Sequence, residues 1–283
     1  MKKIGIYYLC TGPYVLFWED FFATFEKNFL PNTEKHYYVF TDSESVYAQD
    51  QCERIHVYKL SKLPWPLVTL FRFDTFLSVR EDVADCDYLM FSNANVVCEN
   101  IVTEEEFLPD ASKGQMLAFT AHPGYYREKK YHVPYDRNKK CLAYIPYNQG
   151  GNYVIGAMFC GTREAFLKMS AVLKYRIEED LKKNVIARWH DESHINRFIV
   201  GKDDYKLLSP AYCYPVGFDL PVERKICGVS KQAKFDVNTF KGNYVKEENP
   251  MLRRFKKLMN LCINKEFLGC LRDTLLCRSV EKI

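Results

Sequence analysis

The sequence has no apolar run approaching the roughly 20 residues that a bilayer-spanning helix needs, which argues against an integral membrane protein. It has no GxGxxG motif and no Walker-type Gly-Lys-Ser/Thr loop, so the usual dinucleotide and P-loop phosphate cradles are missing. Its 11 cysteines include no CxxC pair and no Cys/His zinc spacing, which excludes zinc-finger and thioredoxin-like readings. Neither internal repeats nor low-complexity tracts occur. A strong charge of one sign is also lacking. The net charge of +4 and pI near 8.4 are too mild for a nucleic-acid binder, whose basic residues gather along one face.

What is present is ordinary globular material: 283 residues, 47% apolar and 27% charged. The cysteine count is odd, and several lie in apolar text such as Tyr8-Leu9-Cys10 and Met158-Phe159-Cys160, so they read as reduced core residues. The apolar run after Met1-Lys2-Lys3 is short, rich in tyrosine and without a small-residue cleavage site, and it reads as a first strand rather than a leader. A cytoplasmic location is the resulting expectation.

Three continuous apolar segments, 4–9, 37–41 and 88–91, read as buried strands. Between them, 17–29 and 68–79 carry aromatic and aliphatic residues at helical spacing. Alternation of strand and helix predicts an α/β domain with a parallel sheet and a ligand at the carboxyl ends of its strands. From 118 to 161 the text is rich in Tyr, Gly and Pro, which predicts long ordered loops. A helix is expected from Arg163 to about Lys183, and another from about Asp191, capped by Asp191 or Ser193. The last residues, from about 250, place Leu252, Phe255, Leu258, Met259 and Cys262 along one side of a basic amphipathic helix. That tail either docks weakly on an anionic membrane or packs on a protein surface.

Asn93-Ala94-Asn95 directly follows the strand 88–91. GT-A sugar-nucleotide transferases place Asp-x-Asp there, so that a divalent cation bridges two carboxylates and the diphosphate. Asparagine amides are neutral and poor partners for a hard dication, so lysine and arginine would have to neutralise the nucleotide. Read alone, the tripeptide is equally a hydrogen-bonded turn. Trp189-His190-Asp191-Glu192-Ser193-His194 has the composition of a sugar site, an aromatic face beside carboxylates, or else that of a capped and solvated helix start. His122, in His122-Pro123-Gly124, is a ligand contact or a structural loop histidine. Gly150, Gly151, Gly156 and Gly161 let backbone come close to a bound group.

Taken in order, Tyr38-Val39-Phe40-Thr41-Asp42, Asp87-Tyr88-Leu89, Asn93-Ala94-Asn95, His122-Pro123-Gly124-Tyr125-Tyr126, Ala143-Tyr144-Ile145-Pro146, the segment 153–161, Trp189 to Asn196, and Leu208-Ser209-Pro210-Ala211-Tyr212 resemble glycosyltransferase family 6. That family holds the histo-blood-group A and B transferases and the α-1,3-galactosyltransferases, and this chain is most similar to its shorter bacterial members. The resemblance covers about 3–235. It implies a GT-A fold, a Rossmann-like mixed sheet flanked by helices with a helical C-terminal extension. Residues 1–240 would form the transferase domain, about 1–100 serving the nucleotide and about 101–240 the acceptor and catalysis, with 241–283 as the extension.

The resemblance also implies the activity: retaining α-1,3 transfer of galactose or N-acetylgalactosamine from a UDP-sugar to a β-galactoside, including an α-1,2-fucosylated one, in surface-glycan synthesis. Glu192 matches the catalytic carboxylate, either a nucleophile or the group that stabilises an oxocarbenium ion. Donor contacts fall on Cys10, Thr11, Tyr14, Arg72, Asn93, Ala94, Asn95, Ile155, Gly156, Ala157, Asp191 and Lys231. Among these, Tyr14 would stack on uracil, while Arg72 and Lys231 would meet the diphosphate. Acceptor contacts fall on His122, Tyr144, Trp189 and Glu192. Family members with aspartates at 93 and 95 hold manganese there; with Asn93 and Asn95 no metal or other cofactor is expected. Ala157 stands where a methyl crowds the donor's C2 substituent, which favours galactose. The competing reading is a protein that binds UDP-sugar or glycan without turning it over.

Overall fold

The computed structural model describes residues 1–63 and 65–236, so the amphipathic tail and the extension 241–283 lie outside the described residues. The elements run β1 (Lys3–Leu9), a 3-10 turn (Gly12–Phe17), α1 (Trp18–Asn28), β2 (Glu34–Thr41), β3 (Ile55–Lys59), α2 (Leu67–Leu70), α3 (Arg72–Ser78), β4 (Tyr88–Ser92) and β5 (Val96–Cys98). They continue with α4 (Glu104–Phe107), β6 (Leu117–Ala121), β7 (Val154–Thr162), α5 (Arg163–Lys182), α6 (His190–Ile199), β8 (Tyr205–Leu208) and β9 (Ile226–Gly228). Seven strands form one sheet in the order β3-β2-β1-β4-β7-β6-β8. The first four are mutually parallel, β7 runs antiparallel to both β4 and β6, and β8 is parallel to β6. This is the Rossmann-like mixed sheet flanked by helices that the resemblance implies.

The two-residue period of the strands sorts their side chains onto two buried faces. Ile4, Ile6, Tyr8, Tyr37, Val39, Met90, Met158 and Cys160 face one core with Trp18, Phe21 and Phe25 of α1. Tyr7, Tyr38, Phe40, Leu89, Phe91 and Phe159 face the other, with Phe73 and Phe76 of α3, Phe166 and Leu173 of α5 and Ile195 of α6. Burial on both faces explains why these strands read as continuous apolar runs, each large side chain contributing roughly 1.5–3 kcal/mol. The buried tyrosines keep their hydroxyls satisfied: Tyr7 donates to Phe76 O at 3.2 Å, Tyr8 to Ala94 O at 3.0 Å and Tyr38 to Asp82 O at 2.9 Å. The described cysteines are free thiols.

Several expectations need correction. The helix expected over 17–29 is present as α1, Trp18–Asn28, with a 3-10 turn ahead of it that the sequence reading did not give. The helix expected over 68–79 is two short ones, broken where Phe71 takes φ −87° and ψ 6°. The stretch 118–161 is loop only between Ala121 and Val154, because β6 and β7 occupy its ends. Neither Asp191 nor Ser193 caps α6 from the usual position: the helix starts at His190, and Ser193 Oγ instead accepts the Trp189 N–H at 2.9 Å. By contrast α5 matches its expected span and is capped by Thr162, whose side chain accepts from Ala165 N.

Candidate active site

A mixed sheet creates the site. The parallel strands β1 and β4 end at Leu9 and Ser92, and β7, running the other way, starts at the same edge. Asn93 N–H donates to Ala157 O at 2.9 Å, so the residues after β4 lie beside the start of β7. The N-terminus of α6 packs directly on that strand. A Cβ at Gly156 would stand 3.1 Å from both Asp191 Oδ2 and Glu192 Cβ, so a side chain here would press on the start of α6. Asn196 clamps the helix to the strand: its Oδ1 accepts from Val154 N at 3.0 Å, and its amide donates to Val154 O at 2.8 Å.

Between these elements lies a cleft of about 230 Å³ lined by Arg72, Asn93, Ile155, Gly156, Ala157, Trp189, Asp191 and Glu192. Glu192 is held at both oxygens, Oε2 accepting the Gly156 N–H at 2.9 Å and Oε1 the Tyr153 hydroxyl at 2.8 Å. Burial pushes its carboxyl up to about 7; those two hydrogen bonds and Arg72 oppose the shift, while the charge of Asp191 adds to it. Asp191 is also raised by burial, against the pull of Arg72. The guanidinium of Arg72 is buried over the Phe91 ring, 4.4 Å from its centroid, and donates from Nη1 to Gly156 O at 2.7 Å. Nη1 also stands 2.9 Å from Asp191 Oδ2 as an ion pair. Even so, Arg72 Nε and Asp191 Oδ2 have no hydrogen-bond partner. With Asp191 Oδ2 already ion-paired, Arg72 Nε is the buried donor left open in the cleft wall.

The remaining expected residues are placed less uniformly. Tyr14 lies in the turn after β1, with the Lys231 ammonium 5.2 Å from its ring centroid, so these two come together. Asn95 does not line the cleft. Its amide donates to Val229 O at 2.9 Å and its carbonyl accepts Val229 N–H at 2.8 Å, which ties the chain leading to Lys231 onto the end of β4. Ala94 is buried in the core, as is Cys10, whose thiol burial pushes up to about 12. Thr11 opens the 3-10 turn, where Gly12 N–H donates to Asp42 Oδ1 at 2.7 Å. His122 Nδ1 accepts the Gly124 N–H at 3.0 Å, so the neutral ring carries its proton on Nε2, and burial lowers its pKa to about 4. Tyr144 sits in a turn closed onto Cys141 O at 3.0 Å and is not part of the cleft wall.

Among the described residues one group has a metal-ligand composition, the buried Cys141, Asp180 and His194, none of which lines the cleft. The Asp180 carboxylate already accepts Leu142 N–H at 3.0 and 2.9 Å and the Cys141 thiol at 3.0 Å, and the positive Arg176 faces His194. This arrangement latches the turn 138–145 to α5. The sequence reading missed Tyr153 and Asn196 as site residues, along with the exposed Trp65, whose ring stands edge-on to His190 at 4.6 Å. Tyr153 lay among the glycines already noted, but only the folded strand shows where its hydroxyl points.

A seven-stranded mixed sheet of this order, with a buried core on each face, is a GT-A-like fold. The profile of glycosyltransferase family 6 matches residues 2–240, and the chain belongs to that family. It is 33% identical over 223 residues to the O-antigen biosynthesis glycosyltransferase WbnI of Escherichia coli, covering 79% of this chain and 92% of that protein. It is 28% identical over 219 residues to globoside alpha-1,3-N-acetylgalactosaminyltransferase 1 of Gallus gallus and 29% over 217 residues to histo-blood group ABO system transferase 2 of Rattus norvegicus. Those matches cover 75% of this chain but only 61% and 63% of the animal proteins, so the chain spans less than two thirds of their length. The family implies a nucleotide-sugar donor and a glycan acceptor. Among the described residues no helix is long and apolar enough to cross a membrane.

Proposed function

We propose that the chain is a retaining α-1,3-glycosyltransferase that moves galactose, in preference to N-acetylgalactosamine, from a UDP-sugar to a β-galactoside, and needs no divalent cation. The observation that carries this reading is Glu192, a carboxylate gripped at both oxygens in the wall of a cleft that also holds a buried arginine. In this reading Glu192 supplies negative charge to the anomeric carbon as UDP leaves, and Arg72 and Lys231 neutralise the diphosphate. Tyr14 stacks on uracil and Thr11 meets the donor from the same turn, while Cys10 acts by holding that turn in place, its thiol in the core, its N–H on Phe40 O and its carbonyl on the Thr41 hydroxyl. Asp191 and the Ile155-Gly156-Ala157 triplet bind the donor sugar, while His122, Tyr144 and Trp189 meet the acceptor. Residues of about 1–100 hold the nucleotide and about 101–240 the acceptor, the two sharing one sheet.

Two arguments support the finer points. Asn93 lines the cleft and Asn95 spends its amide on Val229, so the tripeptide after β4 offers a cation no carboxylate, which supports the cation-free reading. The Ala157 methyl lines the cleft, and one methyl in a sugar pocket shifts donor preference by about 1–3 kcal/mol. Two animal relatives are named for N-acetylgalactosamine or blood-group transfer, which makes that sugar the second donor to test. The name of the bacterial relative supports a role in surface glycan.

The test is UDP release from UDP-galactose and UDP-N-acetylgalactosamine, each with 2′-fucosyllactose and with lactose, in EDTA and then with manganese. Turnover in EDTA that Glu192→Gln abolishes is the expected result. Turnover only with manganese overturns the cation-free reading. Binding of UDP-sugar with no consumption under any condition leaves a binding protein, the reading that two asparagines in place of acids would favour.

A further inference from the structure

Both oxygens of Glu192 are held by one short stretch of chain, Tyr153 and Gly156, at the start of β7. The Gly156 contact comes from the backbone and is present whatever side chain stands there. The Tyr153 contact is a side-chain choice, and the surroundings of that side chain are built for it. Tyr153 is 2% exposed and packs with Val133, Tyr135 and Ile145. Its ring meets those of His122, Tyr125 and Tyr135 at centroid distances of 5.6, 5.4 and 5.4 Å, so it has little freedom to swing away. We infer that Tyr153 is a positioning residue: its hydroxyl fixes the direction in which the Glu192 carboxylate points and stabilises its charged form. The inference rests on the proposed role of Glu192.

The chemistry of the contact gives it a sign. A phenol donates one hydrogen bond, and donation to a carboxylate favours the ionised acid over the neutral one. Burial and the neighbouring negative charge raise Tyr153's own pKa, so it stays a donor throughout the working range. The other groups facing Glu192 are the cationic Arg72 of α3, the acidic Asp191 of α6, and Cys213 in the turn after β8, whose thiol burial pushes up to about 12. Replacing Arg72 or Asp191 would change the cleft's charge. Tyr153→Phe changes none and keeps the ring that the cluster packs against. Most of the ring cluster belongs to the loop 122–153, so the same hydroxyl links that loop to the carboxylate.

The decisive experiment is the dependence of kcat on pH, from about 5.5 to about 9, for the parent and Tyr153→Phe with UDP-galactose. Tyr153→Phe is expected to lower kcat near neutrality about tenfold, the usual worth of a hydrogen bond to a charged group. Its acid limb should move up by roughly one pH unit, with donor KM changed less than about twofold. His122 and His190 both titrate below their ordinary range, and of the two raised acids in the cleft, Asp191 and Glu192, only Glu192 bonds the Tyr153 hydroxyl, so a limb that moves in Tyr153→Phe belongs to Glu192. Tyr135→Phe is the control. The Tyr135 hydroxyl bonds the carbonyls of Gly151 and Asn152 at 3.2 and 3.1 Å and does not touch Glu192, so its limb should stay in place.

An unmoved limb in Tyr153→Phe, or equal movement in both variants, overturns the inference. Glu192→Gln separates the two levels of argument. If it turns over as fast as the parent, the role given to Glu192 falls; if it is inactive while Tyr153→Phe matches the parent, only the positioning role falls.

Discussion

Asp180 near the end of α5 and Asp191 at the start of α6 are both buried acids, 1% and 5% exposed, yet their surroundings are opposite. Asp180 accepts from Leu142 N at both oxygens and from the Cys141 thiol, and His194 Nε2 stands 3.6 Å away. Asp191 has the Arg72 guanidinium beside it and still leaves Oδ2 without a hydrogen bond, as Arg72 leaves Nε. The first acid is spent on the fold. The second shares its carboxylate between the Arg72 guanidinium and hydrogen bonds from Thr69 and from backbone at the start of α6, and it lines the cleft. Depth of burial therefore does not separate the two acids; what differs is that Asp191 lines the cleft and Asp180 does not.

Substitutions break this contrast in order of size. Glu192→Gln should lower transfer on the order of a thousandfold, as loss of a central catalytic group does, while the purified variant stays folded by circular dichroism. Asp180→Ala should do the reverse: it strands the Leu142 N–H and the Cys141 thiol, costs about 3 kcal/mol and lowers Tm by roughly 6–12 °C, with donor KM unchanged. Arg72→Lys keeps the charge but loses the planar fork that reaches Gly156 O and Asp191 together, and donor KM measured by initial rates should rise about tenfold to thirtyfold. Ala157→Gly should shift the ratio of kcat/KM for the two donors toward N-acetylgalactosamine by about tenfold.

The smallest effect is one of pH. Glu192 titrates at about 7 in the fold against an ordinary 4.5, so between those values the folded chain holds a proton that the unfolded chain has shed. The parent's stability therefore falls as pH rises through that window. Glutamine has no such proton, so the Tm of Glu192→Gln minus that of the parent should grow from about pH 5 to about pH 8 in calorimetry. A difference that stays flat would mean that the acid is not raised.

Much of this was legible in the sequence where a side chain's type and its role coincide. The strands Lys3–Leu9, Glu34–Thr41 and Tyr88–Ser92 are buried on both faces and so read as unbroken apolar text. Every residue lining the cleft, from Arg72 to Glu192, is one that the sequence singles out. The edge strand Ile55–Lys59 is buried only at Ile55 and Val57's side of the chain is largely exposed, so it lacks that signature. β7 was hidden by its glycines, which suggest a loop. Gly161 is instead crowded by Leu117 and Met116 O, and Gly156 by α6, so close packing and not turning explains them. Asn95 and Ala94 show the converse limit: a motif names three consecutive residues, but the chain path gives only Asn93 to the cleft.

The loop between β6 and β7 leaves and rejoins the sheet at a single point. Ala121 and Val154 sit opposite one another across the strands, and His122 N–H donates to Tyr153 O at 2.9 Å to close the neck. The segment between is not fastened at the neck alone: Asp180 of α5 holds Leu142 N–H and the Cys141 thiol, and Asp136 Oδ2 accepts Arg188 N–H at 2.7 Å. The triplet Ile155-Gly156-Ala157, just past the neck, is held by Asn93 N–H on Ala157 O and by Glu192 of α6 on Gly156 N–H. The loop is thus carried on two mounts, the sheet at Ala121 and Val154 and the α5–α6 region between them, so an exchange along this seam leaves the cleft undisturbed only if it keeps Asp136, Cys141 and Leu142.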